Sequence, residues 1–423
     1  MNSLRSSKNL ALDSIKRLAY VMFTVNIYKG FYFATIAFGF LAYWSGNGVI
    51  SYGPMLLFLL LCCLSVFLSE SRFSLLGWFL SCSAMPFSLL ALMYHSSAPF
   101  EGKLVTKVSI LMAILPLLVL TSIKINTSLC RRELFGFYKL SAFFFLIVQL
   151  AICAGQLLTY RYGFGFPVSE FYVDSNLITG TYNNPNDLAA VVLVVSLVYV
   201  VIEAGDRVSH SSLFWIMFFS LILLTASRAS LVVGVFIFLF RGGLNNRLII
   251  YFFLLVGAAV GVVFFMDGNV VGSGPILRSI TKLSSISSIL TEGISSDNSM
   301  SLRIVSYLHF VTKLPVLGLG SMELNDYYAY SSGASFDKSL MFQNPHSLVV
   351  EVGYWLGWLG LFLLFLFLFC LFIFVGKRRW FFFSIFVVAS SIPSSVLGDF
   401  IFFAFFILAA VGEAYYGRVS KMT

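Results

Sequence analysis

Long apolar runs separated by short polar connections organise this chain from end to end. They lie at roughly 20–45, 54–69, 73–95, 106–123, 134–158, 187–204, 212–226, 229–241, 247–266, 349–376, 380–396 and 400–416. A helix crossing the hydrocarbon of a bilayer needs about 20 residues, because each residue rises about 1.5 Å through a core about 30 Å thick. Most of the runs approach or exceed that length, and the pattern predicts an all-α polytopic membrane protein of about twelve transmembrane helices. The seventh and eighth runs are short: Ser212 to Phe240 is 29 residues, too many for one simple crossing and too few for two full ones. Arg207 precedes this stretch and Arg241 and Arg247 follow it, so both flanks read as cytoplasmic and an even number of crossings is needed. Two short helices meeting at Ser227-Arg228-Ala229-Ser230 satisfy that requirement.

The basic residues set the orientation. With a cytoplasmic N-terminus, sixteen of the 27 Lys and Arg fall in cytoplasmic segments and only three, Lys103, Arg161 and Arg228, in short outer segments. Five more lie in one long outer loop. This is the positive-inside asymmetry. It also disposes of a nucleic-acid reading of the net charge of +9, since the charges are spread over connections and not gathered into a patch. The proposed organisation is helices 1–9 with short loops over 1–266, a large outer loop over 267–345 and helices 10–12 over 346–423.

Composition excludes a soluble protein: 59% of residues are hydrophobic, 11% are charged and the mean hydropathy is +0.93. A soluble domain carries about 25% charged residues. The six cysteines show no CxxC or Cys/His spacing, so neither a disulfide framework nor a structural zinc is expected. Met1 to Arg17 is polar and weakly basic with no cleavage site after the first apolar run, and reads as a cytoplasmic lead-in. No repeat at a fixed period is visible, which argues against an inverted-repeat transporter.

Some polar groups are not explained by the membrane. The loop over 267–345 is rich in Ser, Gly and Asn, and contains Asp297-Asn-Ser-Met-Ser-Leu-Arg303, a helical stretch over 304–313 and Leu314-Pro-Val-Leu-Gly-Leu-Gly320. Ordered interfacial helices are expected there, because Ile304, Val305, Leu308 and Val311 recur at helical spacing and Pro and Gly close the segment. Gly180-Thr-Tyr-Asn-Asn-Pro-Asn-Asp-Leu188 opens an apolar run, with Asn186 or Asp187 expected as the helix cap. Capping alone and contact with a sugar both remain open for these residues. Arg228 lies between two apolar helices, where a charge costs about 2.5–3.5 kcal/mol at a span centre. It serves either as an interfacial arginine or as an anion site, since a guanidinium fork matches phosphate oxygens. Arg303 stands alone at the start of the loop helix. His346 and Glu351 lie at the start of the tenth span, where a carboxylate needs a partner or water.

Taken together, Gly180-Thr-Tyr-Asn-Asn-Pro-Asn-Asp-Leu188, Ser227-Arg228, Ser301-Leu-Arg303, Pro315-Val-Leu-Gly-Leu-Gly320 and Asn344-Pro-His-Ser-Leu-Val-Val-Glu-Val-Gly353 with Gly357 and Gly360 resemble the O-antigen ligase and polymerase family. The motif-bearing part runs from Gly180 to Gly360; Ser347 departs from the Asn that the family often carries after its histidine. The resemblance implies a fold similar to the GT-C-type lipid-linked glycosyltransferases, a place in the bacterial inner membrane, and transfer of a glycan from undecaprenyl diphosphate at the periplasmic face. It assigns diphosphate binding to Arg228 and Arg303 and proton removal from the acceptor to His346. Arg161, Asn184, Asn186, Asp187, Asn344 and Glu351 are left as sugar or acceptor contacts. No cofactor or metal is implied, and the sequence lacks an Asp-X-Asp or an exposed carboxylate cluster near these residues. The implied partners are the undecaprenyl-diphosphate-linked oligosaccharide, the bilayer, a chain-length regulator and an acceptor. That acceptor is a second lipid-linked repeat unit for a polymerase, which the Asn-Pro-Asn-Asp-Leu run favours, or lipid A-core for a ligase. A transporter or flippase of lipid-linked sugars is the rival of another class. It would place ionisable or broken-helix sites near the midplane, whereas these candidates gather at one surface.

Overall fold

The computed structural model describes residues 75–97, 103–128, 130–168, 177–182, 184–205, 212–240, 298–321, 324–331, 347–376, 378–393, 395–397 and 399–419. All regular structure among them is helical: α1 (Leu75–Ser97), α2 (Lys103–Ser128), α3 (Arg131–Tyr162), α4 (Pro185–Gly205), α5 (Ser212–Leu224), α6 (Arg228–Phe240), α7 (Asn298–Thr312), α8 (Leu324–Ser331), α9 (Leu348–Val375), α10 (Arg379–Ala389) and α11 (Phe400–Val419). Four stretches, within α1, α3, α4 and α9, are long and apolar enough to cross a membrane, and five shorter apolar helices accompany them. The expected apolar runs in this part of the chain coincide with these helices. The exception is the run over 380–396, where α10 stops at Ala389 and irregular chain follows. The runs at 20–45, 54–69 and 247–266 lie outside the described residues.

Helix α4 is the hub. It packs against α3, α5, α6, α10 and α11, and 89% of its apolar stretch is buried. From Leu188 to Ile202 every side chain is inside, seven of the fifteen being Val. Valine is a mediocre helix former in water, but in a bilayer the backbone has no alternative to intrahelical hydrogen bonds, so packing decides. Helices α1 and α2 pack on each other and carry Pro86 and Pro116 within their lengths; the Ser81 hydroxyl donates to the Pro116 carbonyl at 3.2 Å. At the end assigned to the cytoplasm, Arg378 grips Glu413 with both arms of its guanidinium, and Trp215 Nε1 donates to Glu203 at 3.2 Å.

Helices α5 and α6 form an antiparallel hairpin turning at Thr225-Ala226-Ser227. Residues equidistant from that turn meet: Gly234 lies under the Phe218 ring, and the Trp215 and Phe238 rings are 5.2 Å apart. Ala226 adopts a left-handed φ of 52°, and Ser227 and Ser230 share a hydroxyl hydrogen bond of 3.0 Å. The turn thus falls just ahead of the expected Ser227-Arg228-Ala229-Ser230, with Arg228 opening α6. Thirteen residues rise only about 20 Å.

Helix α9 is interrupted differently. Gly357 has φ 71° and ψ −166°, a combination essentially restricted to glycine. The break frees two carbonyls: Tyr354 O accepts from Leu319 N at 2.7 Å and Trp355 O from Gly320 N at 3.1 Å. In return Trp358 N donates to Val316 O at 3.2 Å, and Leu317 and Gly357 form an antiparallel bridge. The Pro315-Val-Leu-Gly-Leu-Gly320 segment is therefore clasped into the opened helix. A Cβ on Gly318 would lie 2.1 Å from Trp355 O, and one on Gly357 2.5 Å from Val316 O. Among the described glycines these are the two at which an added Cβ would strike another backbone. On the same side of α9, α7 docks through Phe310 against Tyr354, with Tyr327 and Tyr328 of α8 completing the aromatic cluster.

Candidate functional site

The polar groups collect at one end of the bundle, where α3 ends and α4, α9 and α11 begin. Two glutamines on α3, seven residues apart and hence on one face, pin the segment that precedes α4. Gln156 Oε1 accepts from Thr179 N at 3.1 Å and Gly180 N at 3.0 Å, while its amide nitrogen donates to Gly180 O at 2.9 Å and Pro167 O at 3.2 Å. One turn pair earlier, Gln149 accepts from Thr181 N and donates to Thr181 Oγ1 at 2.8 Å. Gly180 takes a φ of 60°, and a Cβ there would sit 2.5 Å from Gln149 Oε1. The conformation that presents Thr181 and Tyr182 thus depends on a glycine and two buried amides.

Asn184 caps α4, its Oδ1 accepting from Asn186 N at 2.9 Å, with Pro185 as the first helical residue. This corrects the expected cap at Asn186 or Asp187. Proline needs no N–H and has a helical φ already, so it sits naturally at the first position and moves the cap one residue upstream. Asp187 is left in the first turn, where it lies within electrostatic reach of Glu351 and of Tyr182. Glu351, in the first turn of α9, is buried. Its carboxylate accepts from Val396 N at 3.2 Å and from Leu397 N, with the Ser395 hydroxyl beside it. The partner that a carboxylate in this position requires is thus the chain between α10 and α11. Asp399 caps α11, accepting from Ile401 N at 3.0 Å and Phe402 N at 3.1 Å.

Tyr182 stands within electrostatic reach of Asp187 and Asp399. Burial pushes its phenol well above the ordinary value, and the charges of Asp399 and Asp187 push in the same direction. It is therefore a hydroxyl held protonated, and its oxygen has no hydrogen-bond partner among the described residues. Carboxylates from two helix starts far apart in sequence, Asp187 of α4 and Asp399 of α11, act on one phenol. The linear sequence showed no such grouping. Among the described residues no three His, Cys, Asp or Glu side chains are placed to hold a metal ion.

The remaining candidates divide. Arg228, partly buried, opens α6, which packs on α4, the helix that carries Asp187. Arg303, also partly buried, lies on the face of α7 that presents Ser306 and Phe310, and this helix packs on α9. The two arginines therefore belong to helices docked on two different spans of the bundle. Arg161 lies in the last turn of α3, before Gly163 in its left-handed cap at φ 66°; its side chain is outside the described residues. His346 and Asn344 are outside them too, but Ser347 is not: it is buried and extended, φ −141° and ψ 122°, at the position before α9, and its side chain makes no capping hydrogen bond. Gln149, Gln156, Tyr182 and Asp399 escaped the reading of the sequence. The heptad spacing of two glutamines in an apolar run and an Asp directly before an apolar run were the available signals.

Residues 212–365, from the start of α5 into α9, match the family model described as O-antigen ligase. The stretch contains Arg228, Arg303, the clasped Pro-Gly segment and Glu351, and bears out the family resemblance drawn from the motifs. No curated protein and no solved structure matches the chain.

Proposed function

We propose, with the O-antigen ligase family match over residues 212–365 as the premise, that this membrane protein is a glycosyltransferase moving a glycan from undecaprenyl diphosphate to an acceptor hydroxyl at the periplasmic face of the inner membrane. The observation that carries the reading is where the match falls. It covers the hairpin with Arg228, the helix with Arg303 and the broken span that begins beside His346.

In this mechanism an acceptor hydroxyl attacks the anomeric carbon as the bond to the diphosphate breaks. His346 takes the proton; general-base assistance of this kind is worth about 10²–10⁴-fold. Its ordinary pKa of about 6.5 leaves it largely neutral at neutral pH. The negative charge passes to the departing undecaprenyl diphosphate, which Arg228 and Arg303 stabilise by charge-assisted hydrogen bonds aimed at the developing charge. No metal is assigned to the step. Asn184, Asn186, Asp187 and Glu351 serve as the neighbouring polar surface for sugar, together with Tyr182, whose protonated phenol is a ready donor.

A polysaccharide repeat-unit polymerase is the favoured form, on the Asn-Pro-Asn-Asp-Leu run that opens α4. The description of the matched family favours the ligase, with lipid A-core as acceptor. The lipopolysaccharide banding of a deletion strain separates the two: a lost polymerase leaves single repeat units on the acceptor, whereas a lost ligase leaves bare core and accumulated lipid-linked polymer. Complementation with His346→Ala tests the chemistry. Normal polymer from a correctly inserted variant removes His346 from the mechanism.

A further inference from the structure

Helix α7 and the segment after it carry an apolar surface that the bundle does not cover. Val305 is 53% exposed, Leu308 56%, Val316 74% and Leu317 75%. The opposite face of α7 holds Ser306 and Phe310, both fully buried, with Arg303 in line with them. A helix standing in water between a protein and solvent would show the reverse pattern on its free side.

Two further observations say what covers this surface. The first is continuity. Leu317 is bridged to Gly357, and the residues that follow Gly357, Trp358 and Leu359, are 54% and 52% exposed on the apolar span α9. The exposed face of the loop therefore runs directly into the face of a helix whose only plausible solvent is lipid. The second is the treatment of the backbone. Three consecutive amides of an irregular segment are satisfied by protein: Gly318 N by the Tyr94 hydroxyl at 3.1 Å, and Leu319 N and Gly320 N by the carbonyls released at the break in α9. Val316 O is satisfied as well, by Trp358 N. Non-helical backbone at membrane depth is tolerated only where protein supplies its hydrogen bonds, whereas a loop in water has no such need. Depth agrees: the residues from Trp358 to Val375 rise about 27 Å against a hydrocarbon core of about 30 Å. With Val375 at the cytoplasmic boundary, the break lies just inside the outer one.

We propose that α7 and the Val316–Leu317 turn are seated in the outer leaflet, with their apolar faces against lipid acyl chains and exposed Lys313 at the headgroups. The bilayer then presses the Arg303 face of α7 toward the protein. The test uses the full chain without its native cysteines, in vesicles of phosphatidylcholine and phosphatidylglycerol, with Leu308→Cys, Val316→Cys or, as an aqueous reference, exposed Asn325→Cys. Each carries a bimane fluorophore. At 308 and 316, emission should be lost to phosphatidylcholine spin-labelled near the glycerol and should persist in iodide; at 325 the two quenchers should exchange roles. Iodide quenching at 308 and 316 equal to that at 325 overturns the proposal. So does protection from both quenchers with disulfide-linked dimers forming through Val316→Cys, which would make a second copy the occupant. Because the readout is lipid contact and not transfer, it stands or falls apart from the glycan-transfer reading.

Discussion

Two of the described apolar runs are interrupted in opposite ways. The α5–α6 hairpin reverses direction at Thr225-Ala226-Ser227 and closes on itself, with its aromatic rings packed across the turn. Helix α9 is kinked at Gly357, where it opens its hydrogen-bond ladder to another segment. The hairpin needs only side chains of the right size, and its turn is held by local bonds such as Ala226 N to Leu223 O at 3.0 Å. The broken span needs two backbones in register, so its tolerance for an added atom is far lower. The contrast separates an interruption that shortens a span from one that creates a docking slot.

The sharpest test of this difference is Gly357→Ala. The substituted residue would have to hold a backbone conformation costing about 1–3 kcal/mol for a non-glycine, with its Cβ 2.5 Å from a carbonyl oxygen. A total loss of about 3 kcal/mol is expected from these two terms, read as a fall in melting temperature by scanning fluorimetry in detergent. Gly318→Ala should behave alike, and a wild-type melt for either variant would show that the slot is not closed in solution. In the hairpin, Gly234→Ala should cost much less. The ring of Phe218, 2.9 Å from the new Cβ, can tilt, and replacing a mid-helix glycine returns about 0.5–1 kcal/mol. A net loss of about 1 kcal/mol is expected, and a loss as large as that of Gly357→Ala would abolish the distinction. Smaller again is Ser230→Ala. It removes one hydroxyl hydrogen bond to Ser227 and should cost about 0.5 kcal/mol, visible only as a slight shift in the same melt.

The weakest expected effect concerns the clasp's neighbour, α7. Burial lowers the pKa of His309, and Lys313 lowers it further. The docked helix therefore binds fewer protons than the undocked one between the lowered pKa and the ordinary value of about 6.5. Docking is at full strength above that value and weakens as pH falls through it. Proteolysis of the loop should accelerate below about pH 6.5 in the parent and show no such dependence in His309→Gln. An unchanged acid dependence in the variant would assign the effect to another group.

Much of the architecture was legible because a bilayer enforces a simple code. Run lengths and the distribution of Lys and Arg marked where helices start and stop, and the ends of α3, α4, α5, α6, α9 and α11 fall within a few residues of the runs. The Pro315-Val-Leu-Gly-Leu-Gly320 and Gly353, Gly357, Gly360 motifs were visible as motifs, but not as the two halves of one clasp. Their pairing is made by backbone groups, which carry no side-chain signature. The acids near Tyr182 were hidden for a related reason: Asp187 and Asp399 each read as an ordinary first-turn or capping carboxylate in its own helix.

Taken alone, the sequence determined that the chain is a bundle of apolar helices, how its charged connections are distributed and which stretches hold chemistry. It could not rank the helices, because α4 and α9 are both apolar all round. Only the tertiary structure made α4 the hub, with 89% of its apolar stretch buried, and left α9 with 44% of its own inside. In water the polar face of a helix announces which side is out. In lipid the surroundings are as apolar as the core, so the choice falls to shape, small residues and the few polar groups that must find partners.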